Sequence, residues 1–250
     1  MTAVQSSPPI AVAALGLQSD PTPAVEVSRD PDSCPLALRG LSKRWGKPGL
    51  AVLAGLDLEL EPGTLTWVGG RNGAGKTTML RVAAGLIEPD SGSASVWGLT
   101  TRRDRTHYQQ LVSFLPAGDR GLYARLTVRR QLEFWARISM LQPRSVGALV
   151  EATISEFALD ELATHRVDRM SMGQRQRLRI AMTFMTGARV VLLDEPLTSL
   201  DAEGAALVLG AVKRVRDGGG AVLWCSPTGE QPAVALDGAW VLENGRLVSA

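Results

Sequence analysis

Apolar and polar residues alternate over residues 36–41 and again over 56–60 (LDLEL), the period of two that a half-buried strand requires. Glu61-Pro62-Gly63 then makes a turn, and residues 64–68 predict another apolar strand. Residues 190–193 and 221–224 are apolar at every position, the pattern of strands covered on both faces of a sheet. Residues 111–115 read as a further strand. Near the end, 240–242 and 247–248 flank Asn244-Gly245, a pair that suits a type I′ hairpin. Helical periodicity fills much of the remainder, at 76–85, 127–140, 145–159, 174–186 and 202–216; Leu178, Ala181, Met182 and Met185 share one face of the fourth. Strands on both sides of a mostly helical block, about 101–170, predict an α/β core with a helical subdomain inserted into it.

Composition narrows this picture at a few points. The chain has 250 residues, 45% hydrophobic and 21% charged, with a formal net charge of +2. That is enough chain to bury a substantial core. The balanced charge lacks the basic face that phosphate-backbone binding needs, so no nucleic-acid partner is expected. Two cysteines, Cys34 and Cys225, are too few for a disulfide scaffold or a zinc cluster, and they suit a reducing compartment. No apolar run approaches the roughly 20 residues needed to span a bilayer. Residues 1–35 hold prolines at 8, 9, 21, 23, 31 and 35 without any burial period, and are expected to be a flexible extension.

The sharpest chemical signal is Gly70-Arg71-Asn72-Gly73-Ala74-Gly75-Lys76-Thr77, followed by Thr78. It satisfies G-x-x-x-x-G-K-[ST] and stands between an expected strand and an expected helix, the context a phosphate loop requires. Glycines let successive backbone N–H groups curl around phosphate oxygens, and the helix N-terminus adds partial positive charge. Lys76 would neutralise the β- and γ-phosphates, and the Thr77 hydroxyl would ligate Mg²⁺. A second signal is the apolar run 190–193, which ends in Asp194-Glu195. Ligands of open α/β sheets bind at such strand ends. Asp194 would hold Mg²⁺ through water and Glu195 would polarise the attacking water; the plainer alternative is that the two acids cap the next segment. Between these motifs, Ser171 with Gln174 three residues on forms a capping box.

The order of phosphate loop, Ser171-Met172-Gly173-Gln174, Asp194-Glu195 and Ser199-Leu200-Asp201 resembles the nucleotide-binding subunit of ABC transporters across roughly residues 36–249. The resemblance implies a P-loop NTPase core of ABC type that binds ATP and Mg²⁺ in a sandwich between two subunits, a homodimer or a heterodimer. Ser171, Gly173 and Gln174 would match the signature that reaches the other subunit's γ-phosphate, and Asp201 would close the D-loop at the same interface. Trp45 sits where the family stacks an aromatic on adenine; the other reading is a packed residue at a strand end. Hydrolysis would power a separately encoded membrane permease and place this chain at the cytoplasmic membrane face. Gly121-Leu122-Tyr123 and Leu126-Thr127-Val128 look like the exporter branch.

Two departures stand out. The loop Pro116-Ala117-Gly118-Asp119-Arg120 lacks the glutamine that the family supplies, leaving Asp119 as either a substitute ligand or a turn residue. After residues 221–224 the chain reads Cys225-Ser226-Pro227-Thr228 where the family has a histidine on the γ-phosphate. Proline offers neither a titratable group nor a backbone N–H. The chain's histidines, His107 and His165, both precede Asp194. Either Ser226 or Thr228 partly replaces the histidine and hydrolysis is slow, or the chain is a clamp paired with a second cassette. A soluble ABC ATPase acting on DNA or ribosomes is the remaining alternative.

Overall fold

The computed structural model describes residues 34–46, 49–139, 141 and 143–250. The expected extension, 1–35, falls outside these residues except for Cys34 and Pro35. In chain order the elements are β1 (Leu36–Trp45), β2 (Leu50–Leu60), β3 (Leu65–Gly69), α1 (Lys76–Ala83), β4 (Ser91–Ser95), α2 (Thr101–Leu111), β5 (Val112–Leu115), α3 (Val128–Ile138), α4 (Pro143–Glu156), α5 (Met172–Phe184), β6 (Val190–Asp194), α6 (Ala202–Asp217), β7 (Ala221–Cys225), β8 (Gly238–Glu243) and β9 (Arg246–Ser249). They form the α/β fold of P-loop NTPases.

The chain divides into two compact units. The first comprises residues 34–118, 189–196 and 212–250 and holds both sheets. One sheet has the antiparallel order β2-β1-β4; the other has the order β5-β6-β7-β3-β8-β9, parallel except for the closing β8–β9 hairpin. Strands β3, β6 and β7 are buried at every position. Burying a leucine or valine side chain fully is worth about 1.5–3 kcal/mol, so these central strands anchor the unit. Their order fixes the functional geometry. Strand β7 lies between β6 and β3, with Asp194 beside Cys225 and Val68 beside Cys225 in the parallel registers. All three therefore deliver their following loops to one edge of the sheet.

The second unit, Asp119–Ala188 with Leu197–Ala211, is helical. Here α3 packs on α4 and α5 around Leu132, Leu149, Ile154, Phe157 and Leu178, all buried. Helix α2 and strand β5 group with the sheets, ahead of the point at Asp119 where the helical unit begins. Among the described residues, no helix is long and apolar enough to cross a membrane.

Candidate nucleotide site

The phosphate loop joins β3 to α1. Gly75 precedes the helix at φ +110°, a backbone region that L side chains avoid, and a Cβ there would lie 2.9 Å from the Val52 carbonyl oxygen. Glycine is obligatory on both counts. No side chain caps α1, so its first-turn N–H groups remain available to an anion. Lys76 is 5% exposed and folded back into the loop, its Nζ donating to the carbonyls of Gly70 at 2.5 Å and Arg71 at 3.2 Å. The cation is thus held at the centre of the loop that would cradle phosphate.

Across the sheet edge, the Thr77 hydroxyl donates to Asp194 Oδ2 at 2.7 Å. Asp194 is 1% exposed, and burial raises its pKa above the usual carboxylate range, against the opposing pull of Thr77, the Ala117 backbone N–H, Lys76 and Arg81. A carboxylate so poor in solvation gains from a cation beside it. Two oxygens of this kind, completed by phosphate and water, suit Mg²⁺, which needs few protein ligands. Thr77 and Asp194 would hold that ion, and the ion would supply charge neutralisation at the phosphates. The Ala117 contact was not readable from the sequence. It shows that the loop after β5 reaches Asp194 through its backbone even without a glutamine.

Glu195 sits at φ +51°, a strained conformation for a residue with a side chain, with its N–H donating to the Cys225 carbonyl at 2.8 Å. Its carboxylate is half-buried and makes no hydrogen bond or ion pair with another described residue. Trp45, at the end of β1, is 48% exposed, with the Lys43 ammonium over one face of its ring, Nζ 5.4 Å from the centroid. The sheet unit thus carries Trp45, the phosphate loop, Thr77, Thr78, Asp194 and Glu195.

The helical unit gathers Ser171, Gly173, Gln174 and Asp201. Ser171 and Gln174 form the reciprocal capping box at the start of α5, with bonds of 3.2 and 2.9 Å. A Cβ at Gly173 would approach the Ser199 carbonyl oxygen to 2.7 Å, so the close packing there admits only glycine. With Arg177 and Asp160, these residues line a cleft of about 710 Å³. Asp201 caps α6 by accepting from the Gly204 N–H at 2.8 Å, and Arg177 lies 3.7 Å from the same carboxyl oxygen. Asp119 pairs with Arg175 at 3.8 Å.

Ser226, offered with Thr228 as a stand-in for the histidine, has partners of its own within the protein. It is 4% exposed, accepts the Trp67 indole N–H at 2.8 Å, and donates its hydroxyl proton to the Glu230 carbonyl at 2.6 Å. The group is already satisfied by the protein. A pairing of residues 159 positions apart leaves no signal in the sequence.

The model of the ABC transporter family matches residues 53–198. The chain is 29% identical to the ABC transporter ATP-binding protein NatA of Bacillus subtilis, over 85% of this chain and 87% of that protein. It is 33% identical to the daunorubicin resistance ATP-binding protein DrrA3 of Streptomyces coeruleorubidus, over 86% of this chain and 67% of that protein. A solved structure described as a dimeric post-hydrolysis state of an ATP-binding cassette bound to ADP and Pi superposes with a TM-score of 0.75, at 20% identity, covering 85% of this chain and 96% of that one. The family model spans more than half the sequence, and this chain belongs to the ATP-binding subunits of ABC transporters.

Proposed function

We propose that this chain binds ATP with Mg²⁺ on the Gly70–Thr78 loop, pairs with a second ATP-binding subunit, and hydrolyses ATP to power export through a separately encoded permease. The observation that carries the reading is the sheet edge where buried Lys76, the Thr77–Asp194 pair and the unpartnered Glu195 meet. Lys76 and the loop N–H groups hold the phosphates, and Thr77 and Asp194 hold the ion. Glu195 takes a proton from water as that water attacks the γ-phosphorus; the bond to the β–γ bridging oxygen breaks, releasing ADP and phosphate. Ser171, Gly173, Gln174 and Asp201 serve the nucleotide of the opposite subunit, and Trp45 stacks on adenine. Similarity to ATP-binding proteins named for drug resistance supports export, and the dimeric neighbour supports pairing. The permease holds the chain at the cytoplasmic membrane face.

One observation favours slow turnover, or pairing with a different cassette that hosts the faster site: Pro227 stands where a histidine would contact the γ-phosphate. Glu195→Gln tests the assignment. It should lower the Mg²⁺-dependent ATPase rate at least about a hundredfold, the usual scale for losing a positioned catalytic group, while ATP still binds. Turnover equal to wild type removes Glu195 as the base and leaves the clamp reading.

A further inference from the structure

The segment leaving β7 is closed on itself. The Ser226 N–H donates to the Val68 carbonyl at 3.3 Å, and its hydroxyl takes the Trp67 indole N–H and gives its proton to Glu230. The Glu230 N–H in turn donates to the Pro227 carbonyl at 3.0 Å. Trp67 is 1% exposed, and a Cβ at Gly69 would run into its indole ring, so the anchor beneath the turn is packed in place. Residues 226–230 are therefore fastened to β3 only two residues before Gly70, at the edge where the phosphate loop begins.

The donors that remain can be counted out. An ionised phosphate only accepts hydrogen bonds, so whatever replaces a histidine must donate. The single hydroxyl proton of Ser226 is committed to Glu230, Pro227 has no N–H, and the Glu230 N–H is committed to Pro227. Thr228 and Gly229 are exposed, and neither has a hydrogen-bond partner among the described residues. Gly229 stands at φ +94° in the turn that follows Pro227, and turns of this kind can present successive backbone N–H groups to an anion. Building on the ATP-binding reading above, we propose that the Thr228 hydroxyl and N–H and the Gly229 N–H form a γ-phosphate contact in place of the missing histidine, with Ser226 as the positioning residue that holds their turn. The contact is neutral and does not titrate.

Equilibrium binding of MgATP and MgADP to the purified full chain, measured by calorimetry, tests this. ADP lacks the γ-phosphate, so the ratio of the two affinities isolates the contact. Thr228→Val should weaken ATP about tenfold, the scale of one hydrogen bond to a charged group, with ADP affinity unchanged. Thr228→Ser should restore the wild-type ratio. Ser226→Ala should lower the same ratio by freeing the turn. A Thr228→Val ratio equal to wild type, or equal losses for ATP and ADP, overturns the proposal while the ATP-binding reading stands. A wild-type chain that binds neither nucleotide overturns both.

Discussion

The loop after β3 and the turn after β7 leave neighbouring parallel strands at the same sheet edge, yet they are built on opposite principles. In the first, a buried cation closes the loop, with Lys76 Nζ on the carbonyls of Gly70 and Arg71, and the first-turn N–H groups of α1 lie open. In the second, a neutral hydroxyl closes the turn, with Ser226 between Trp67 and Glu230. Phosphate entering the first loop meets a full positive charge that needs only to exchange carbonyls for phosphate oxygens. Phosphate reaching the second meets dipoles alone. Ground-state affinity for nucleotide thus concentrates in the first loop. The second adds a smaller affinity that only ATP, with its γ-phosphate, can draw on, and it bears on the rate as well, because one preorganised contact to the reacting group is typically worth on the order of 3 kcal/mol.

Removing the charge breaks the comparison most severely. Lys76→Ala deletes charge-assisted contacts worth roughly 1.5–3 kcal/mol each. ATP and ADP affinities should both fall at least about tenfold by calorimetry, while circular dichroism remains that of the folded protein. The joint loss distinguishes this loop from the turn after β7, where only ATP should suffer. Unchanged affinity would remove the phosphate-loop assignment.

The two loops also differ in how far they could be read from sequence. Everything that makes the first work is contiguous: eight residues from Gly70 to Thr77, preceded by a strand and followed by a helix. Strands β6 and β7 were equally legible, because burial on both faces demands unbroken apolar runs. What escaped is what depends on distant partners. Strand β4, SGSAS, has none of the residues that favour strands; it forms through pairing with β1, where Gly92 lies against the carbonyls of Arg39 and Gly40 too closely to admit a Cβ. Helix α2 buries only Tyr108 and Leu111, too few for a readable stripe. Arg179, buried in α5 and bonded to the Arg120 carbonyl, looks like a surface arginine in the sequence. The Trp67–Ser226 bond and the Ala117 contact to Asp194 belong to the same class. A motif is local; the choice between a committed and an available serine is made by tertiary neighbours.

Trp67→Phe sharpens the comparison from the other side. It removes the indole N–H that Ser226 accepts, and shortens a ring that is 1% exposed and packed against Gly69. The lost hydrogen bond and the small cavity together should cost about 1–3 kcal/mol in denaturant unfolding. Nucleotide affinity through Lys76 should change little, since no part of the phosphate loop bonds to the indole. A large loss of ADP affinity would mean that the two loops are a single mechanical element.

The smallest expected effect concerns Asp194, which stands beside both loops: it accepts from Thr77 and its strand pairs with β7. Burial holds its pKa above the ordinary carboxylate value. A carboxyl whose folded pKa is raised binds its proton more tightly when folded, so it favours the folded state at low pH. That contribution is lost as pH rises from the ordinary carboxylate range through the raised folded value. At neutral pH the ionised group is a net cost to the protein without Mg²⁺. Asp194→Asn removes the charge and keeps an oxygen for Thr77, so the melting temperature without metal should rise slightly at pH 7 and move little near pH 4. Mg²⁺-dependent ATPase activity should disappear in the same variant, because the ion loses the carboxylate proposed to hold it. The opposite pattern, a melting temperature that falls at pH 7 and holds at pH 4, would mean that the ionised carboxylate is already compensated within the protein. The charge asymmetry between the two loops would then owe nothing to Asp194.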